Sequence, residues 1–279
     1  MPLAVAALLV IGACSSSSKT ATNSSSSSSG SGSSSSSSAG ASFTPTKAGV
    51  LTVGTELPAP PFFVGDDYSS LTGGFEYDLA QDIAKKLGLS KANIIEMPFA
   101  GVVAGQDCPC DVDFSQVTIT ADRSKVVDFT TPYFNADQGV LVKKGKSVKT
   151  LADAKALQWG AQVNTTGLDF IDNTIKPAKQ SQVYNTTVDA FNALDAGQID
   201  AVLLDTPIVL GEVQTAPQFE VVAQFKTGEQ YGGIVKKGSA NLAAINAAIA
   251  ALQSDGTITT LLKKYFGADP SDIPTIAAS

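Results

Sequence analysis

The sequence has no histidine, one arginine and one tryptophan among its 279 residues. Without histidine there is no Ser-His-Asp or Cys-His nucleophile, no His-ligated zinc and no imidazole base near neutral pH. Only carboxylate, lysine, tyrosine or thiolate chemistry stays open. A single arginine, no basic cluster and a net charge of -7 argue against a nucleic-acid partner, whose phosphates call for concentrated Lys and Arg. Cysteine is also scarce, at three residues. Cys108 and Cys110 form a Cys-Pro-Cys that, with Asp107, Asp111 and Asp113, does not match a tetrahedral zinc set. In an oxidising compartment a disulfide between the two is expected. No metal and no cofactor is expected.

The lone arginine ends SQVTITADR, residues 115–123, in a chain that uses lysine eighteen times. A solvated charge is served as well by lysine, whereas a planar fork that grips a carboxylate through two parallel N–H bonds requires arginine. Thr120-Ala121-Asp122-Arg123 reads as a helix start with Thr120 as N-cap. There the macrodipole disfavours a cation. Arg123 therefore faces either a ligand carboxylate or a local partner, Asp122 or Asp128.

The N-terminal run PLAVAALLVIGAC is too short for a bilayer, which needs about twenty residues. It resembles a bacterial lipoprotein signal, with Ile11-Gly12-Ala13-Cys14 as lipobox, although no Lys or Arg precedes it. The resemblance implies that Cys14 is acylated, so that the chain sits outside the cytoplasm, anchored to the cell membrane. Residues 15–46 follow as a Ser-rich disordered tether, almost pure Ser with Gly, Ala and Thr up to residue 42. Twenty-eight such residues reach roughly 30 Å.

Beyond the tether, strand and helix patterns alternate. GVLTVGTEL, NIIEM, VDFSQVTIT, ALQWGAQV, QSQVY, DAVLLD and FEVVAQF read as strands. Phe75, Leu79, Ile83 and Leu87 fall at helical spacing before Gly88; Val188, Phe191 and Leu194 do so in TVDAFNALDAG. This alternation predicts an α/β fold, whose ligands gather beyond the carboxyl ends of strands. Glu56, Thr118 with Arg123 beyond it, and Asp205 end strands in this way. NTTG, residues 164–167, opens a helix whose N–H groups can receive an anion. The bland readings are an ordinary Thr-capped turn for NTTG and an N-cap before proline for Asp205.

The order VGTELPAPPF, GGFEYDLAQDIAKKLG, SQVTITADR, DFTTPYF, NTTG, LLDTP, YGGIVKKGS, DGTITTLLKKYFG resembles the family 3 solute-binding proteins of bacterial polar amino-acid importers. The likeness runs from about residue 47 to 268. It implies a two-lobed periplasmic-binding-protein fold of type II, with a mixed sheet in each lobe and two hinge crossovers. The lobes would be residues 47–137 with 229–279, and residues 138–228. Carried over position by position, Arg123 clamps the ligand α-carboxylate. Thr118 assists with its N–H and accepts from the α-ammonium through its hydroxyl, and the Gln116 carbonyl accepts from the same ammonium. Asp205 neutralises the ammonium from the opposite lobe. Thr165 and Thr166 cap the carboxylate, with Asn164 replacing glycine in a left-handed position. Glu56 and Phe99 face the ligand side chain, and Gln162 stands where some relatives have lysine. Ala59 takes the place of a second aromatic, and Leu204 offers no polar contact. With Glu56 there and no second cation, arginine, lysine or glutamine is favoured over an acidic ligand.

The resemblance implies a monomeric binding protein, not an enzyme, that delivers its amino acid to an ABC permease and ATPase supplied by other chains. Two alternatives use the same cleft. One is a sensor subunit for a receptor; the other is a same-fold dehydratase, with Glu56 or Glu229 as acid-base group.

Overall fold

In the computed structural model, which describes residues 42–65, 67–266 and 273–278, two five-stranded mixed sheets carry the fold. The first half opens with β1 (Val50–Thr55), α1 (Phe75–Lys86), β2 (Lys91–Glu96), α2 (Phe99–Val103), β3 (Val112–Asp113) and β4 (Val127–Phe129). The chain then crosses to a second sheet through β5 (Phe134–Lys143), α3 (Leu151–Ala156), β6 (Trp159–Gln162), α4 (Thr166–Phe170), β7 (Gln182–Tyr184), α5 (Thr187–Asp195), β8 (Ala201–Asp205), α6 (Thr206–Thr215) and β9 (Phe219–Tyr231). It returns with β10 (Ile234–Lys236), α7 (Leu242–Ser254) and α8 (Thr257–Phe266). The sheet orders are β2-β1-β3-β10-β4 and β7-β6-β8-β5-β9. In each, a parallel core meets antiparallel strands: β10 in the first, β5 and β9 in the second.

The helix stripe works as its spacing predicts. Phe75, Leu79 and Ile83 are fully buried and Leu87 caps α1, followed by Gly88 at φ +75°. In α5, Phe191 and Leu194 are buried while Val188 is half-buried. Phe62, Phe75, Phe134, Tyr231 and Phe266 form an aromatic cluster in the first lobe. Burying several such rings together is a large favourable term. The second sheet is covered on both faces, by a cluster around Trp159, Ile171 and Phe225 and by another around Phe191, Leu194 and Val209.

The crossovers are the antiparallel pair β5 and β9, with Phe134 opposite Tyr231. The expected lobe boundaries fall inside these strands. A register shift lies between Ala136 and Gln138, and the Asp137 carboxylate accepts from the N–H groups of Thr227, at 2.8 Å, and Gly228, at 3.1 Å.

Two local expectations need correction. Of VDFSQVTIT only Val112 and Asp113 form a strand; Gln116 turns to φ +52°, and Thr118 keeps one bridge, to Tyr231. The cause is buried Glu76, which takes the Gln116 backbone N–H at 3.1 Å and pulls the segment out of a ladder. The helix expected at Thr120 is a single 3-10 turn, Arg123–Lys125, although the Thr120 hydroxyl does accept from the Arg123 N–H at 3.2 Å.

Candidate functional site

Between the sheets lies a cleft walled by residues of both lobes. Glu56, Phe99, Gln116, Thr118, Arg123, Gln162, Thr165, Thr166 and Asp205, the nine ligand residues read from the sequence, all line it. Pro58, Ala59, Ser115, Thr187, Leu204 and Ile208 complete the wall.

Among the described residues Arg123 has no carboxylate partner. Asp122 is paired with Lys125 and Asp128 with Lys237, so neither local candidate holds the guanidinium. Instead Nη1 donates to the Thr118 carbonyl at 2.7 Å and Nη2 to the Asn164 carbonyl at 2.8 Å, across the cleft. The guanidinium carbon lies 5.6 Å from the Phe99 ring centroid, within cation–π reach. Burial lowers the arginine pKa, opposed by the charges of Asp205, Glu229 and Asp169. A guanidinium stays protonated regardless and has five N–H donors, so three remain for an anion.

Facing it, Asn164 sits at φ +63°, the left-handed region that asparagine tolerates among non-glycine residues. Thr165 is the N-cap of α4: its hydroxyl accepts from the Leu168 N–H at 3.1 Å and donates to the Gln162 carbonyl at 2.8 Å. Asp205 holds the N-cap position of α6 with Pro207 in the first turn, yet its side chain makes no capping bond. Its carboxylate accepts from Gln138 Nε2 and, at 2.6 Å, from the Tyr231 hydroxyl. Burial, and then the neighbouring Glu229 charge, push its pKa up to about 7, against the opposing hydrogen bonds and Arg123.

At the far end, the Glu56 carboxylate accepts from the Phe99 N–H at 2.9 Å and from Gln162 Nε2 at 2.8 Å, and Gln162 also donates to the Asn185 carbonyl at 3.1 Å. Glu56 and Gln162 thus meet across the cleft. With Asp205 ionised, Arg123 against Glu56 and Asp205 gives the wall a net charge of about -1, which suits a zwitterion carrying one further positive charge.

Sequence reasoning missed Gln138 and Glu76 and cast Glu229 only as an acid-base group. The one available signal for Gln138 was a polar residue inside the apolar strand QGVLV. Glu76 is fully buried, accepts from the Tyr133 hydroxyl and from the backbone N–H and side-chain amide of Gln116, and is pushed up to about 7 by burial against those bonds. It holds Gln116 in place from behind the wall.

Cys108 and Cys110 lie away from this wall and are joined in a disulfide, with Cα atoms 5.1 Å apart. Among the described residues no group of three His, Cys, Asp or Glu side chains is arranged to hold a metal, and no helix is long and apolar enough to cross a membrane. Cys14 and nearly all of the Ser-rich segment lie outside the described residues.

A family model, bacterial extracellular solute-binding proteins, family 3, matches residues 51–268. The chain belongs to this family. This family 3 protein is 36% identical over 227 residues to the L-cystine-binding protein TcyJ of Escherichia coli (strain K12), covering 79% of this chain and 84% of that one. It is 33% identical over 206 residues to the ABC transporter glutamine-binding protein GlnH of Bacillus subtilis (strain 168), covering 71% and 74%. Among solved structures, an ancestral arginine-binding protein bound to glutamine superposes with a TM-score of 0.72 at 37% identity, covering 80% of this chain and all of that one. The fold is the two-lobed type II periplasmic-binding-protein fold with a mixed sheet per lobe.

Proposed function

We propose that this protein captures a polar amino acid between its lobes, arginine or lysine ahead of glutamine, and delivers it to the permease of an ABC importer. The observation that carries the reading is the guanidinium of Arg123, which among the described residues has no carboxylate partner although two aspartates lie within five residues of it. Arg123 takes the ligand α-carboxylate, and Thr165 and Thr166 close over the same group. Asp205 takes the α-ammonium, helped by Thr118 and the Gln116 carbonyl. Glu56, Phe99 and Gln162 receive the side chain.

The relatives' names, which cite cystine, glutamine and arginine, support an amino acid and differ on its side chain. The preference for a cation rests on Glu56 and the net negative wall. The reading is stoichiometric capture by a monomer, without turnover. It places the protein outside the cytoplasm, held at the membrane by a lipid on Cys14.

Calorimetry tests it, on protein refolded from denaturant to strip carried-over ligand, against the twenty amino acids and L-cystine. One-to-one binding, tightest for arginine or lysine and with the ligand recovered unchanged, is expected. Binding of none of them would overturn the capture reading, and chemical conversion of a bound compound would favour the dehydratase alternative.

A further inference from the structure

Behind the cleft wall, Glu229 on β9 gathers hydrogen bonds from both lobes. Its Oε2 accepts from the Thr118 hydroxyl at 2.7 Å and from the Thr166 hydroxyl at 2.7 Å. Gln138 Nε2, on the other crossover strand, lies 3.2 Å from Oε1 and 3.3 Å from Oε2 while also donating to Asp205. Glu229 does not line the cleft; it borders an open depression on the reverse side of Thr118 and Thr166.

A hydroxyl has one proton and two lone pairs, and a carboxylate oxygen can only accept. With their protons directed at Glu229, the Thr118 and Thr166 hydroxyls can only accept hydrogen bonds from the cleft. Thr166 already receives one from Gln138 Nε2 at 3.3 Å. Among the described residues Thr118 has no such second donor, and its own carbonyl is engaged by Arg123. Thr118 and Arg123 line the same cleft, and in the capture reading the hydroxyl's remaining lone pair meets the α-substituent of the ligand.

We infer that Glu229 is a positioning residue that fixes the Thr118 hydroxyl as a pure acceptor, so that the site selects an α-ammonium over an α-hydroxyl. The inference rests on the capture reading above and adds what sets its polarity. An ammonium has three donors and no acceptor, and it satisfies a one-way acceptor fully. A 2-hydroxy acid has one proton to give, which either Asp205 or Thr118 can take, and the remaining oxygen is left unsatisfied. Because Glu229 also joins the lobes, losing it weakens every ligand. The ratio between ligands isolates its effect on polarity.

The experiment is calorimetry on the full chain. L-arginine, L-lysine, L-glutamine and L-cystine are screened, and the tightest is then compared with its 2-hydroxy counterpart. Glu229→Ala frees the Thr118 proton to turn into the cleft, so the preference for the amino acid over the hydroxy acid should fall about tenfold, one neutral hydrogen bond's worth. Thr118→Val should lower the same ratio, and adding Glu229→Ala to Thr118→Val should lower it no further. A ratio within about threefold of wild type in folded Glu229→Ala would overturn the inference. So would an undiminished drop in the Thr118→Val background, because the Glu229 charge would then act through space. If Glu229→Ala fails to fold, Glu229→Leu, which restores bulk but offers no oxygen to accept the Thr118 proton, is held to the same outcomes. Failure of the wild type to bind any amino acid would remove the capture reading itself, and this inference with it.

Discussion

Arg123→Lys keeps the positive charge and removes the planar fork. In the closed cleft the guanidinium and a ligand carboxylate form a largely dry pair, and breaking such a pair costs about 3–5 kcal/mol. Arg123 is half-buried and lysine still supplies a point charge, so the lower end applies. The expected loss is about a hundredfold in affinity, rising toward a thousandfold or more for Arg123→Ala. Stability should respond differently. Lysine can keep one of the two carbonyl contacts, at Thr118 or Asn164. Losing the other is about 1.5 kcal/mol, or a fall of roughly 3–6 °C in the ligand-free melting temperature. Calorimetric affinity and melting temperature, read on one Arg123→Lys sample, separate the two roles. A melting shift with affinity within about threefold of wild type would refute the clamp and leave Arg123 a structural tie between the lobes.

Four further outcomes follow from the same structure. Asp205, raised to about 7 by burial and Glu229, must be ionised to hold an ammonium. Affinity should therefore fall as pH drops below 7, by up to about tenfold per unit. Binding near pH 6.5 should release a proton, read by calorimetry in buffers of different ionisation enthalpy; flat affinity from pH 8 to 5.5 would contradict the assignment. Glu56→Gln should weaken arginine about tenfold and glutamine no more than about threefold, whereas a wild type that prefers glutamate would defeat this account of the side-chain pocket. Alkylation without reduction, followed by mass spectrometry, should label neither Cys108 nor Cys110, and full labelling of both would argue against their disulfide. Cys14→Ala should release the protein from membranes with ligand affinity unchanged, and a variant that still sediments with them would sink the lipid anchor.

Much of the architecture could be read along the chain because it depends on local periodicity. Phe75, Leu79 and Ile83 mark a buried helix face whatever lies opposite. Alternating strand and helix patterns restrict the fold to the α/β class. The ordered motifs from VGTEL to KKYFG pointed to the two-lobed family, and the scarcity of arginine singled out Arg123. Local pattern failed at 114–121, which alternates like a strand but is held by Glu76, about forty residues earlier in the chain.

The sequence by itself determined the helix faces, most of the strands and the residue types a ligand site would need. Only the tertiary structure decided which charges pair. Asp122 and Asp128 lie one and five residues from Arg123 in the chain, yet lysines take them. Asp205 receives Gln138 from 67 residues away, and Glu229 receives Thr118 from 111 residues away. A hydrogen bond is satisfied by whichever partner arrives within about 3 Å at a workable angle. For side chains on crossing strands and facing lobes, that partner is set by how two sheets pack and close, which no local window of sequence contains.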